Sequence, residues 1–469
     1  MKDKKKKAYI ANLENEYRKS FKKSFQVYEK GKDYFPNGVP QSGRFFKPFP
    51  PYIASARGTT LTTVDGYELI DFWQGHFSNI LGHNPPLIVE TLKDRFDKRI
   101  GLQLGIFTEL EEELASLILS LTNMDSVLFT TSGALGTMYS TWLGLSYTGR
   151  KKVLKVSGGW QGIQPYALKG VRFLNGIDKI EIECAGISDA FDSEILNVPF
   201  NDTEKLEDCF QKHGEEIGVF ILELVLGNSG MIVADKEFIK KARELTTKYG
   251  SVLIVDEIVT GFRVNAGGLY KFFEIEPDIG VFGKAMSGGM PLVCFAGKKE
   301  IFSHASTSMN PRVWADGGTF TAHPATLIAS IEMVKFLSEQ EDKVYPKILK
   351  HMNFLRENVK KIFKDNKIPV DITGTSQNDG IPNFPIGTVR FLLDTESYDK
   401  RNSSYPLYHW DATKVDIQFR DQISKIALML KGLYTWQGLG VMTFEHSEDD
   451  IDKALTAYRG FASDIKDLF

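Results

Sequence analysis

Val252-Leu253-Ile254-Val255-Asp256-Glu257 and, further on, Ile279-Gly280-Val281-Phe282-Gly283-Lys284 are the runs on which the reading of this chain turns. Four apolar residues reach Asp256 and Glu257 with no polar alternation. A run that apolar predicts a strand covered on both faces, as in a parallel sheet flanked by helices. The acids then fall at its carboxyl end, where open α/β sheets bind ligands. The second run ends on Gly283 and a lone amine, Lys284. A buried acid and a buried amine are therefore expected at one sheet edge.

Working outward, 469 residues predict one large and one smaller domain. The net charge of −3 argues against nucleic-acid binding, which needs an excess of Lys and Arg on one face. The one basic run, Lys4 to Lys7, reads as a solvated terminus. Cys184, Cys209 and Cys294 lie far apart without metal-ligand spacing, which fits a reducing compartment. No signal-peptide core follows the lysines and no apolar run approaches membrane length, so a cytoplasmic protein is expected.

Tyr9, Leu13, Tyr17, Phe21 and Phe25 recur at near-helical spacing and predict an amphipathic arm. Asp65-Gly66 predicts a hairpin turn. Thr108-Glu109-Leu110-Glu111 has the capping-box pattern. Val127-Leu128-Phe129 is a short strand running into Thr130-Thr131-Ser132-Gly133-Ala134 and then a helical pattern. Such a turn either offers free backbone N–H groups to a phosphate or is simply a tight turn with a Ser cap. Val153 to Val156 gives a strand that ends at Ser157-Gly158-Gly159-Trp160-Gln161-Gly162, where something flat could stack on Trp160. Val219 to Leu222 stops at Glu223, and the helix after Asp235 leads back to Val252. One βαβ crossover therefore makes the strands ending in Glu223 and Asp256 parallel neighbours or near neighbours. Thr388 to Leu393 reads as a strand of the smaller domain, while residues 371–415 as a whole are polar and predict a surface loop at the rim of the site. His76, His83 and His323 form no ligand set and predict packing, turns or hydrogen bonds.

Pyridoxal phosphate needs a lysine for its Schiff base, an acid at the pyridine nitrogen, a phosphate cradle and a stacking aromatic. Lys284, Asp256, Ser132 to Ala134 and Trp160 supply them, each at the end of a predicted strand. Leu253-Ile254-Val255-Asp256-Glu257-Ile258-Val259-Thr260-Gly261-Phe262-Arg263 with Phe282-Gly283-Lys284-Ala285-Met286-Ser287-Gly288-Gly289-Met290-Pro291 resembles the class III (subgroup II) pyridoxal-phosphate aminotransferases. The branch most similar is glutamate-1-semialdehyde aminomutase. The likeness runs from Pro36-Asn37-Gly38-Val39 to His446-Ser447-Glu448-Asp449-Asp450-Ile451.

The resemblance implies an α/β, fold-type I protein with a mostly parallel sheet flanked by helices and a smaller α+β domain. Its expected divisions are 1–75 (arm and part of the small domain), 76–325 (large cofactor-binding domain) and 326–469 (carboxyl-terminal small domain). It implies that Lys284 carries pyridoxal 5'-phosphate, that Asp256 pairs with the pyridine nitrogen, and that Ile258 and Trp160 cover the two ring faces. Ser132, Gly133 and Ala134 match the phosphate loop. Glu223 and Asn228 match residues near the cofactor's hydroxyl. Thr319, in Gly318-Thr319-Phe320, matches the segment that reaches the phosphate of the other subunit, which implies a homodimer.

Two departures concern the cofactor: Leu135 replaces an acid after the phosphate loop, and Gln161 replaces a His after the stacking aromatic. On the substrate side, Arg44 aligns with the residue that grips the substrate carboxylate, and an Arg fork suits that task. An Arg beside Phe45-Phe46 could equally stack and solvate. The aminomutase branch carries a Glu near the carboxyl end, where Gln437-Gly438 stands here. The expected function is amino transfer from a small-molecule donor to a carbonyl acceptor with ping-pong kinetics. An intramolecular aminomutase is the first rival and a non-catalytic cofactor-binding or assembly protein the second.

Overall fold

The computed structural model describes residues 2–177, 179–393 and 407–469. Two helices, Lys2–Ser20 and Lys22–Gly31, form the expected arm, broken at Phe21. The break has a local cause: Asp65 of the hairpin turn accepts from Lys23 N at 2.6 Å and Ser24 N at 3.1 Å, capping the second helix. The hairpin joins β2 (Thr60–Thr63) to β3 (Glu68–Asp71), with β1 (Ile53–Arg57) on the other side of β2. Leu433–Tyr434 adds a fourth strand parallel to β3. The beginning and end of the chain thus share one small sheet.

Seven strands make the central sheet: β4 (Ser126–Thr130), β5 (Lys152–Val156), β6 (Ile195–Val198), β7 (Ile217–Glu223), then, after a small ribbon of β8 (Val225–Leu226) and β9 (Ile232–Val233), β10 (Val252–Glu257), β11 (Ile279–Phe282) and β12 (Val293–Gly297). Their order is β4-β12-β11-β10-β7-β5-β6, and only β12 runs against the rest. Every residue of β7, β10, β11 and β12 is buried. Alternate residues feed two separate cores. Val252 and Ile254 pack with Val219, Ile221 and Leu143, whereas Leu253 and Val255 pack with Phe220, Leu222 and Phe282. An unalternating apolar run is what a strand needs when both faces are covered.

The expected βαβ unit is present: helix Lys236–Tyr249, closed by left-handed Gly250, links β7 to its parallel neighbour β10. Asp235 stands at the N-cap but makes no side-chain cap. Thr108 and Ser447 both form complete capping boxes. The surface-loop reading of 371–415 needs correction. Residues 394–406 of it lie outside the described residues. In the remainder Ile381, Phe384, Leu407 and Tyr408 are buried, and Ile386–Gly387 and Val389–Phe391 are strands. Scattered Gly, Asn and Pro masked apolar positions that pack on the carboxyl-terminal helices. Among the described residues no helix is long and apolar enough to cross a membrane.

Candidate active site

The pleat and the register bring two acids together. Asp256 is the direct partner of Glu223 on adjacent parallel strands, so both side chains leave the same face, the one that helix Gly133–Thr148 covers. Glu223 receives Trp160 N at 2.7 Å and Gln161 Nε2 at 3.2 Å on Oε1, and Gly227 N at 3.0 Å on Oε2. Gln161, the residue that replaces the resembled family's His, thus donates to Glu223. Asp256 receives Ile258 N at 3.0 Å. Burial raises Asp256 to about 6, against the pull of Ile258 N and Lys284. Glu223 rises to about 8, through burial first and Asp256 second. Two buried carboxyls side by side resist ionising together. Glu257 points to the opposite face, where Tyr270 N at 2.9 Å and the Thr260 hydroxyl engage it. It anchors the turn Leu269–Phe273 and stands apart from the pair.

Lys284 opens the turn Lys284–Ser287 after β11 with φ at +46°, a left-handed conformation unfavourable for a side chain with a Cβ. Among the described residues no acceptor engages its Nζ. Burial lowers its pKa and the Arg263 guanidinium adds to that, while Asp256 and Glu223 oppose it. Across the sheet edge Ser132 caps helix Gly133–Thr148 by accepting from Leu135 N at 3.4 Å. Ser132 is exposed and Gly133 and Ala134 are half-buried, so the first-turn N–H groups stay accessible, as an anion requires. A Cβ on Gly133 would meet Ile258 Cδ1 at 2.5 Å, and one on left-handed Gly162 would meet Ala134 Cα at 2.6 Å. The Trp160 loop, the helix start and Ile258 therefore close on one another. Asn228 adds a buried amide nitrogen with no partner among the described residues.

Sequence reasoning passed over the turn Gln74–Phe77. All four residues have positive φ, +48°, +61°, +57° and +72°, and only Gly75 is a glycine. Each of the others costs roughly 1–2 kcal/mol in that conformation. The turn packs on the Lys284 turn, and Arg263 Nη2 donates to Phe77 O. It carries His76, whose pKa falls to about 4 through burial first, then through the charges of Arg44, Lys284 and Lys425. Arg44 is exposed; its N donates to Gln41 O at 3.1 Å, and among the described residues its side chain makes no hydrogen bond, ion pair or ring contact, so the stacking alternative is not realised. His83 bonds Asp71 at 2.7 Å, and His323 caps helix Pro324–Glu339. A single glycine was the only local signal for the left-handed turn.

Thr319, like Ser132 and Arg44, is exposed, and it stands next to Phe320, which is 65% exposed. Its carbonyl accepts from Gln103 in a segment where Leu102, Ile106 and Phe107 are also exposed. Two clefts, of about 510 and 400 Å³, lie elsewhere; the larger is lined by Gly250, Ser251 and Asp278 at the amino ends of the strands. Convergent chemistry rather than cavity size marks the site.

The family model "Aminotransferase class-III" matches residues 44–377. The glutamate-1-semialdehyde 2,1-aminomutase of Methanococcoides burtonii is 30% identical over 444 residues, covering 93% of this chain and 98% of that protein. Among solved structures, an omega-transaminase from Sphaerobacter thermophilus superposes with a TM-score of 0.83 at 24% identity over 95% of this chain and 97% of that one. A glutamate-1-semialdehyde-aminomutase from Pseudomonas aeruginosa gives 0.83 at 17% identity over 99% and 98%.

Proposed function

This chain belongs to the class III aminotransferases, pyridoxal-phosphate enzymes of fold type I, and we propose that it moves an amino group from a small-molecule donor to a separate carbonyl acceptor. The site fits the cofactor. Accessible N–H groups at Gly133 and Ala134 suit its phosphate, half-buried Trp160 and Ile258 suit its ring faces, and Asn228 has an amide to donate. The carboxyl pair at Asp256 and Glu223, raised together, calls for a proton donor or cation between them. Lys284 would hold the cofactor covalently through Nζ. When bound, pyridoxal phosphate supplies an electron sink that lets the proton on the carbon bearing the amine be removed.

The chain's own residues then do the rest. Asp256, anchored by Ile258 N, would keep a proton on the ring nitrogen, and Glu223 is fixed by its three donors beside it. Once the substrate's amine has displaced it from the cofactor, Lys284 Nζ, whose proton affinity burial lowers, would take the substrate proton and return it to a neighbouring atom. The observation that carries this reading is Lys284 in its left-handed turn, with an unengaged Nζ beside two buried acids. Donor and acceptor occupy the site in turn, so kinetics are ping-pong. We infer a homodimer in which Thr319 and Phe320 meet a second copy, because that surface is apolar and exposed in one chain.

The second reading, an intramolecular aminomutase, is favoured by the names of the 30%-identical relatives. Against it stands buried Gln437, a neutral residue where the branch carries Glu. The test is a visible absorption band in the purified protein that changes with an amino donor alone and is restored by a carbonyl acceptor. Turnover of a single substrate with no donor would select the aminomutase. A colourless protein after incubation with pyridoxal phosphate, or an unchanged spectrum in Lys284→Ala, would sink both.

A further inference from the structure

Lys425 has no part in the chemistry above, yet it is only 7% exposed. Its Nζ lies 4.4 Å from the ring centre of Trp73, 5.0 Å from Phe46 and 5.7 Å from Tyr434. Among the described residues no carboxylate or hydrogen-bond acceptor reaches it. Ring faces attract an ammonium but cannot accept three N–H bonds as an anion does. Leu or Met would fill such a box without a buried charge. A five-residue π-helical segment, Phe419–Ile423, precedes Lys425; such segments are rare and frequently fall at functional sites.

The box borders the substrate side. Trp73 meets the His76 ring edge-on at 4.8 Å, and Phe46 follows Arg44 by two residues. The acids nearby are already engaged: Asp421 by Arg420 at 2.7 Å, and Asp71 by His83 at 2.7 Å and Trp73 N at 2.7 Å. Gln437 adds no charge, and Trp436 beside it meets Phe77 at 4.9 Å. Among the described residues this wall holds Arg44, Lys425 and a deprotonated His76 with no free carboxylate.

We propose that Lys425, held in the Phe46, Trp73 and Tyr434 box, is a specificity residue that takes a substrate carboxylate remote from the reacting amine. The inference rests on the aminotransferase reading. It selects ω-amino acids and related carboxylate-bearing substrates over uncharged amines. Arg44 serves the same anionic end from the solvent side, and the positive wall replaces the Glu of the aminomutase branch.

The test compares β-alanine, 4-aminobutyrate and 5-aminopentanoate with propylamine, butylamine and pentylamine on the holoenzyme, reading half-saturation of the change in the visible band. The wild type should prefer the acid at one chain length by about tenfold or more, the scale of one charged hydrogen bond. Lys425→Met should lose most of that preference and Lys425→Arg should keep it. An equal preference in Lys425→Met, or none in the wild type, overturns the proposal. A second measurement needs neither a variant nor the cofactor: glutarate should raise the melting temperature of wild-type apoprotein and glutaramide at matched ionic strength should not, and equal effects would overturn it. Absence of the visible band would refute the aminotransferase reading alone.

Discussion

Asp256→Asn should stabilise the apoprotein while disabling the enzyme. Burial lifts the Asp256 carboxyl from its ordinary 3.8 to about 6, equivalent to ~3 kcal/mol. A carboxyl whose folded pKa lies above its unfolded one holds its proton more tightly in the folded protein. The stability this contributes is present below about pH 4 and is lost as the pH rises through about 6. At pH 8 the wild-type apoprotein therefore carries a buried carboxylate that Asn avoids. Relief extends to Glu223, whose rise to about 8 has Asp256 as its second cause. Asn can still accept from Ile258 N, so the strand end stays anchored. Melting of the apoprotein, followed by circular dichroism, should rise by a few degrees over wild type at pH 8 and match it at pH 4. Transamination should fall by about 100-fold or more, since a neutral amide cannot hold the ring proton electrostatically. No gain at pH 8, or the same gain at pH 4, would refute the account of the acid pair.

Gly162→Ala should weaken the cofactor cradle. Its φ is +83° and its Cβ would stand 2.6 Å from Ala134 Cα, so roughly 2–4 kcal/mol is expected to appear as lowered stability and looser pyridoxal phosphate, measured by equilibrium dialysis; wild-type affinity would contradict the close approach. Thr108→Ala removes a capping box far from the acids and should cost about 1 kcal/mol in denaturant unfolding, with kcat unchanged. Phe320→Asp should shift the mass in light scattering from dimer towards monomer, and an unchanged mass would remove this surface from the inferred interface.

The unalternating runs, the capping boxes at Thr108 and Ser447, and the spacing from Asp256 to Lys284 were legible because each is a local pattern with one structural solution. The strand ends followed from them, and with the ends came Ser132, Trp160, Glu223, Asp256 and Lys284 at one edge. The 371–415 stretch misled because its polar residues outnumber the few apolar ones that are buried. Three features were decided by the tertiary structure alone. The pairing of Glu223 with Asp256 depends on strand register, which neither strand encodes by itself. The left-handed turn at Gln74–Phe77 exists because Arg263 and the Lys284 turn hold it, against its own backbone preference. The burial of Lys425 depends on Phe46 and Trp73, which approach only when the two ends of the chain share a sheet. Short-range periodicity states which faces must be covered; only the folded chain decides which distant residues cover them.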